Sequence, residues 1–208
     1  MLTAALRRLR VPLLLVAIAL LAAPVRAQEG PTTVVEGINA ALLHVMRNAE
    51  RLGFEGRAER LEPVLTESFD FPAMARVAVG RHWADLSQGQ RAELVETFTH
   101  RSIADFAARF DGYGGEEFEI LGEQAMQRGS VLVENRIVRP DDEPVPINFV
   151  LREVEGNWRV IDIVLEARFS ELSRTRAEYT SVLERRGFDG LIRSLENVIA
   201  QLRAEAGA

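Results

Sequence analysis

The sequence predicts an α+β fold, a curved antiparallel sheet of about four strands wrapped by N- and C-terminal helices. Three observations carry this expectation. Helical periodicity occupies the chain up to Gly112, period-two alternation occupies 117–165, and helical periodicity returns from about 171. The links between the β-rich segments are short, as in an antiparallel meander and unlike βαβ crossovers. No internal repeat or linker breaks the order, so residues 28–208 are expected to form one domain.

The first 27 residues are set apart. Arg7, Arg8 and Arg10 precede an apolar run over 11–23, and Val25-Arg26-Ala27 puts small residues where a signal peptidase reads. This pattern describes a cleavable secretory signal peptide and an exported protein. The run falls short of the roughly 20 apolar residues that a membrane span needs. The chain has 208 residues, a formal charge of −6, no cysteine, and arginine as its only strongly basic residue. Removing 1–27 takes away arginines and no acid, leaving a more acidic chain. An acidic surface makes nucleic acid a poor partner.

The helices follow in order. Val34, Val35, Ile38, Ala41, Leu42, Val45 and Ala49 keep helical spacing over about 33–52, ended by Gly53 and Gly56. A shorter helical stretch carries Leu61, Val64 and Leu65. Asp70-Phe71-Pro72 reads as an N-cap with an early proline, opening a helix to Gly80. His82 and Trp83 lie in the connector that follows. Ser87-x-x-Gln90 is a capping box for a long helix of about 23 residues, with the stripe Leu94, Phe98, Phe106 and Phe110.

Strands are expected at 117–125, 130–139, 145–154 and 157–165, joined by turns at 128–129, 140–144 and 155–157. The fourth has Ile161, Ile163 and Leu165 on one face and Val160 and Val164 on the other, so it is expected to be central. Two helices complete the chain, one through Leu172, Tyr179, Val182 and Leu183 to Gly187, the other from Asp189 through Leu195 to Leu202.

Little in the sequence points to catalysis or to a metal. Without cysteine, disulfides, thiolate metal sites and thiol nucleophiles are excluded. His44, His82 and His100 stand isolated, with no second ligand at metal spacing. Gly112-Tyr113-Gly114-Gly115 follows a helix rather than a strand and has no lysine to reach a phosphate, so it reads as a turn. Asp162 stands out, because a carboxylate inside a buried strand needs a partner or a raised pKa. It reads either as paired structurally with an arginine or as the base of an isomerase-type pocket with Tyr113 as oxyanion donor. The surplus of phenylalanines fits either a packed core or a ligand cavity.

Several stretches, in order and spacing, carry a resemblance. They are Asp70-Phe71 with Met74-Ala75 and Val79-Gly80, then Trp83 before Leu86-Ser87-x-x-Gln90-Arg91. Phe98, the run Asn157-Trp158-Arg159-Val160-Ile161-Asp162 with Glu166, and Gly187-Phe188-Asp189-Gly190-Leu191-Ile192 follow. The chain resembles the periplasmic phospholipid-binding proteins of the Mla pathway, the MlaC or toluene-tolerance family, and within it the hopanoid-associated HpnM branch. Where that family commonly has Gly-(Val/Ile)-Ser-Leu after Glu166, this chain has Ala167-Arg168-Phe169-Ser170-Glu171-Leu172.

The resemblance implies a nuclear-transport-factor-like cone enclosing an apolar cavity, and a monomeric, non-enzymatic carrier without cofactor or metal. Its ligand would be a phospholipid or hopanoid, passed between an outer-membrane lipoprotein complex and an inner-membrane ABC-transporter complex. The expected lining residues are Phe71, Met74, Val79, Trp83, Leu94, Phe98, Phe106 and Phe110 from the helical half. Phe118, Val133, Ile137, Phe149, Ile161, Ile163, Leu165 and Phe169 are expected from the sheet. A filled core with no cavity would instead suit a scaffold of an envelope complex.

Overall fold

The computed structural model describes residues 30–165 and 169–206, without the Phe169 side chain; the expected signal peptide and Arg168 lie outside the described residues. Helix α1 (Pro31–Arg47) buries Val35, Ile38, Leu42 and Val45 on one stripe. It stops earlier than the spacing suggests because Asn48 leaves helical geometry and its side-chain amide donates to the His44 carbonyl at 2.8 Å. Helix α2 (Ala49–Ser68) is bent at Gly53, whose φ of 61° and ψ of −174° suit glycine and little else.

Helix α3 (Phe71–Val79) opens where expected: the Asp70 carboxylate accepts the Ala73 N–H at 3.0 Å. A 3-10 turn over Gly80–Asp85 leads to α4 (Gln88–Arg109). There the capping box is complete, with Gln90 N–H to Ser87 Oγ at 3.2 Å and Ser87 N–H to Gln90 Oε1 at 2.9 Å. At the other end of the chain α5 (Glu171–Glu205) is broken at Gly187 (φ 67°, ψ −173°), giving the two helical halves the sequence predicts.

The sheet comprises β1 (Glu117–Ala125), β2 (Ser130–Arg139), β3 (Asp142–Val154), β4 (Asn157–Leu165) and the two-residue β5 (Phe169–Ser170). All neighbours are antiparallel and the order is β1-β2-β3-β4-β5, a meander. Strand β3 starts earlier than expected because the hairpin turn shrinks to Pro140 and Asp141, with Arg139 opposite Asp142.

Strand β3 is the middle of the five; β4 pairs with it on one side and with only the two-residue β5 on the other. The outer edge of β4 carries β5 at one end and, at the other, a parallel bridge from Phe69 to Val160, with Asp70 N–H to Val160 O at 2.9 Å. The register puts Val160 on the same face as Ile163 and Leu165, opposite Leu151, Phe149 and Ile147, so the two apolar faces expected from strict alternation are largely one. A bulge at Ile161 shifts the register, so that Leu151 faces Val160 while Phe149 faces Ile163.

The inner face of the sheet divides lengthwise. Toward one end Val133, Phe149, Leu151 and Val160 are sealed in the core with no exposed surface. Toward the end carrying the β2–β3 hairpin, Ile137, Val145, Ile147, Ile163 and Leu165 are only partly buried. There the helices stand off the sheet.

Candidate functional site

The gap at the hairpin end is a cavity of about 650 Å³, within the range of small-molecule sites. Its floor is Ile137, Val145, Ile147, Ile163 and Leu165 from three strands. One wall comes from Phe71 and Met74 of α3 and Phe98 and Phe106 of α4; the other comes from both halves of α5, with Leu172 and Tyr179 before the kink and Leu195 and Val198 after it. The Gly187 break therefore lets one helical segment line the cavity twice.

Aromatic rings run along the wall in near-continuous contact. Tyr179 meets Phe98 edge-on at 6.2 Å, Phe98 meets Phe71 at 6.2 Å, and Phe71 stacks on Phe69 at 5.3 Å. Phe69 then meets Phe106 at 5.8 Å, Phe106 stacks on Phe110 at 6.0 Å, and Phe110 reaches Phe118 at 6.2 Å. Such pairs contribute about 0.5–1.5 kcal/mol each beyond simple burial, which fixes the wall while one side of it stays empty. The Tyr179 hydroxyl belongs to this wall, and burial pushes it above its ordinary value of 10.0, so it stays neutral.

Much of the remaining lining is charged. Arg101 pairs with Asp105 on α4, Arg139 with Asp142 at 3.1 Å, and Arg174 with Glu171 at 2.8 Å and Glu178 at 3.7 Å. Burial lowers the pKa of Arg101 while the Glu178 carboxylate opposes the shift, and the hydrogen bond that Arg174 donates to Glu171 raises that of Arg174. Arg109, Asp111, Tyr113 and Glu116 continue the lining where α4 runs into the loop before β1. Tyr113 lies under the Arg47 guanidinium, 5.0 Å from its ring centre. The expected cavity is thus apolar at its floor and aromatic wall, with ionic groups around them.

Of the residues singled out in the sequence, Phe71, Met74, Phe98, Phe106, Phe110, Ile137, Ile163 and Leu165 come together around this cavity. Val79, Leu94, Val133 and Phe149 are sealed in the core instead. Phe118 packs on Phe110 behind the wall, Trp83 lies in the turn before α4 beneath the Arg91 guanidinium, and Ile161 is the bulge residue of β4. The Phe169 side chain lies outside the described residues. Phe69, Tyr179, Leu195 and Val198 line the cavity without being expected there. The 3- and 4-residue spacing of Leu191, Leu195 and Val198 was the available signal, but it reads equally as core.

Among the described residues Asp162 pairs with no arginine. Its carboxylate accepts the Ser170 hydroxyl at 2.6 Å, the Leu172 N–H at 3.1 Å and its own neighbour Ile163 N–H at 2.8 Å. Ser170 Oγ accepts the Ser173 N–H at 2.9 Å, so the two side chains together satisfy the first turn of α5. Burial raises the Asp162 pKa, against these three hydrogen bonds. Tyr113 lines the cavity and Asp162 does not, so the pair that an isomerase-type pocket requires is not assembled there. Among the described residues no cluster of potential metal ligands occurs, and no helix is long and apolar enough to cross a membrane.

Comparison with curated protein sequences gives no match. Among solved structures, the phospholipid-binding protein from Ralstonia solanacearum, in complex with a phospholipid, superposes with a TM-score of 0.73 at 18% identity. The alignment covers 84% of this chain and 99% of that one, and establishes a shared fold. The family described as MlaC protein matches residues 36–197, well over half of the sequence. This chain belongs to the MlaC protein family.

Proposed function

We propose that the protein is a non-enzymatic lipid carrier that holds phospholipid acyl chains in the cavity between the sheet and α3, α4 and α5. The observation that carries this reading is the unfilled space of about 650 Å³ over an apolar floor. Each methylene moved from water to such a floor contributes about 0.8 kcal/mol, so roughly fifteen of them contribute about 12 kcal/mol. That is enough for a protein to take up a molecule that would not cross water alone. The phospholipid held by the structurally similar Ralstonia solanacearum protein supports the same ligand class.

In this reading residues 1–27 direct export to the periplasm, and a single lipid-binding domain shuttles as a monomer between outer- and inner-membrane transport complexes. A hopanoid is the alternative cargo. The cavity also favours a carrier over an envelope scaffold, for which a filled core would suffice. Native mass spectrometry of the protein purified gently from a bacterial host should show a co-purifying lipid, and the emptied protein should reload from vesicles. A clean apo mass together with no uptake from vesicles would refute it.

A further inference from the structure

The lining's charge pattern bears on which headgroup the cavity takes. Among the described residues four arginines, Arg101, Arg109, Arg139 and Arg174, line it, and five carboxylates, Asp105, Asp111, Glu116, Glu171 and Glu178. The formal charges of these described lining residues sum to −1, on a chain that is itself acidic at −6. A headgroup with net negative charge is therefore opposed, while one carrying both signs finds both partners.

The partners are not equally available. Arg101, Arg139 and Arg174 each hold a carboxylate of a nearby residue in the chain. Arg109 has no ion pair or hydrogen bond among the described residues, is exposed, and lies in the last turn of α4. The helix terminus alone favours a cation there. Asp111 and Glu116 lie two and seven residues further on and line the same end of the cavity. Glu116 accepts the Gly114 N–H at 2.5 Å, which fixes its carboxylate beside the loop.

We propose that this end of the cavity selects zwitterionic phospholipids, with Arg109 receiving the phosphodiester and Asp111 and Glu116 receiving the cationic end of the headgroup. The proposal rests on the carrier reading and adds a headgroup class to it. A guanidinium offers the phosphodiester two parallel N–H donors, and a carboxylate at the same end of the cavity takes an ammonium. An anionic headgroup of similar size gains the first contact and is repelled at the second.

The test uses vesicles of equimolar phosphatidylethanolamine and phosphatidylglycerol with a diacylglycerol tracer, and reads protein-bound lipid by mass spectrometry. The wild-type protein should load phosphatidylethanolamine over phosphatidylglycerol by about threefold, a ratio expected of partly exposed charges. The double variant Asp111→Asn, Glu116→Gln should bring the ratio to about one. Arg109→Gln should lower uptake of both phospholipids and leave diacylglycerol unchanged. Inorganic phosphate in the buffer should not alter the ratio; full competition would reassign the site to free phosphate and overturn the proposal. Uptake at the vesicle ratio, or a preference that survives in the double variant, would overturn it alone. Failure to take up any lipid, diacylglycerol included, would overturn the carrier reading and this proposal with it.

Discussion

The lengthwise division of the sheet into a packed end and an open end can be tested with matched pairs of substitutions. Phe149 has no exposed surface, so Phe149→Ala loses the transfer energy of the ring and leaves a void, at a cost of about 3–5 kcal/mol. Phe106 faces the cavity, with ring contacts to Phe69 at 5.8 Å and Phe110 at 6.0 Å. Truncating it forfeits those contacts, but the space joins one that already exists, so the added cavity term nearly vanishes and the cost falls to about 2 kcal/mol. For a chain of this size the two variants should lower the apo melting temperature by roughly 6–20 °C and 4–8 °C. The opposite perturbation uses one strand. Val133 and Ile137 share a face of β2, but only Ile137 lines the cavity. Val133→Trp must strain a sealed core, at about 1–3 kcal/mol or more. Ile137→Trp should keep the apo melting temperature and displace the acyl chain. Thermal melts of the apo proteins and lipid uptake from vesicles measure both effects. If Ile137→Trp unfolds the protein as readily as Val133→Trp, or Phe106→Ala costs as much as Phe149→Ala, the open end is core and the division is false.

Three further outcomes are expected. Arg57 is buried and donates to Ala107 O at 2.8 Å and Ala49 O at 3.2 Å, so Arg57→Met strands two carbonyls and should cost about 2–4 kcal/mol by urea melt. Asp162→Asn should retain lipid uptake and weaken the α5 cap by about 1–2 kcal/mol. Because burial raises the folded pKa of Asp162, the wild type should gain stability relative to that variant as pH falls from above the raised value to the ordinary 3.8; a difference that grows with pH would contradict this. Gly187→Ala meets no atom within 4 Å but must adopt φ near 67°, so it should cost about 1–3 kcal/mol in thermal unfolding with no steric clash to relieve.

What could be read from the sequence is what neighbouring residues decide among themselves. The Asp70 cap, the Ser87 capping box and the break at Gly187 depend on side-chain-to-backbone bonds or backbone freedom within a few residues, and each occurs as expected; Gly53 kinks α2 rather than ending the first helix. Strand β4 misled because an extra residue at Ile161 brings Val160 to the face of Ile163 and Leu165, so an alternation counted straight through it assigns Val160 to the wrong side. The Ile161 bulge left no local mark. Asp162 meets Ser170 only because the chain turns back through β5, so a search for an arginine could not find that partner. The Phe98, Phe106 and Phe110 stripe was legible as an apolar face, but hydrophobicity alone does not distinguish a wall from a filling. Arg101, Asp105 and Arg109 have the four-residue spacing of any solvated helix face, and only the standing-off of α5 turns them into a lining.

The distribution of aromatic residues around the cavity also decides how it can be observed. Both tyrosines of the chain, Tyr113 and Tyr179, line it, and neither tryptophan does. Trp83 lies beneath Arg91 in the turn before α4, and Trp158 pairs with Glu153 near the start of β4. Intrinsic tryptophan emission therefore reports on the shell and should change little as a ligand enters. The tyrosine ring signals in an aromatic NMR spectrum report on the interior, one from the exposed loop and one from the sealed wall. An indole placed at Ile137 would bring the emission into the cavity and at the same time close it, so one variant would both block the site and report the blockage.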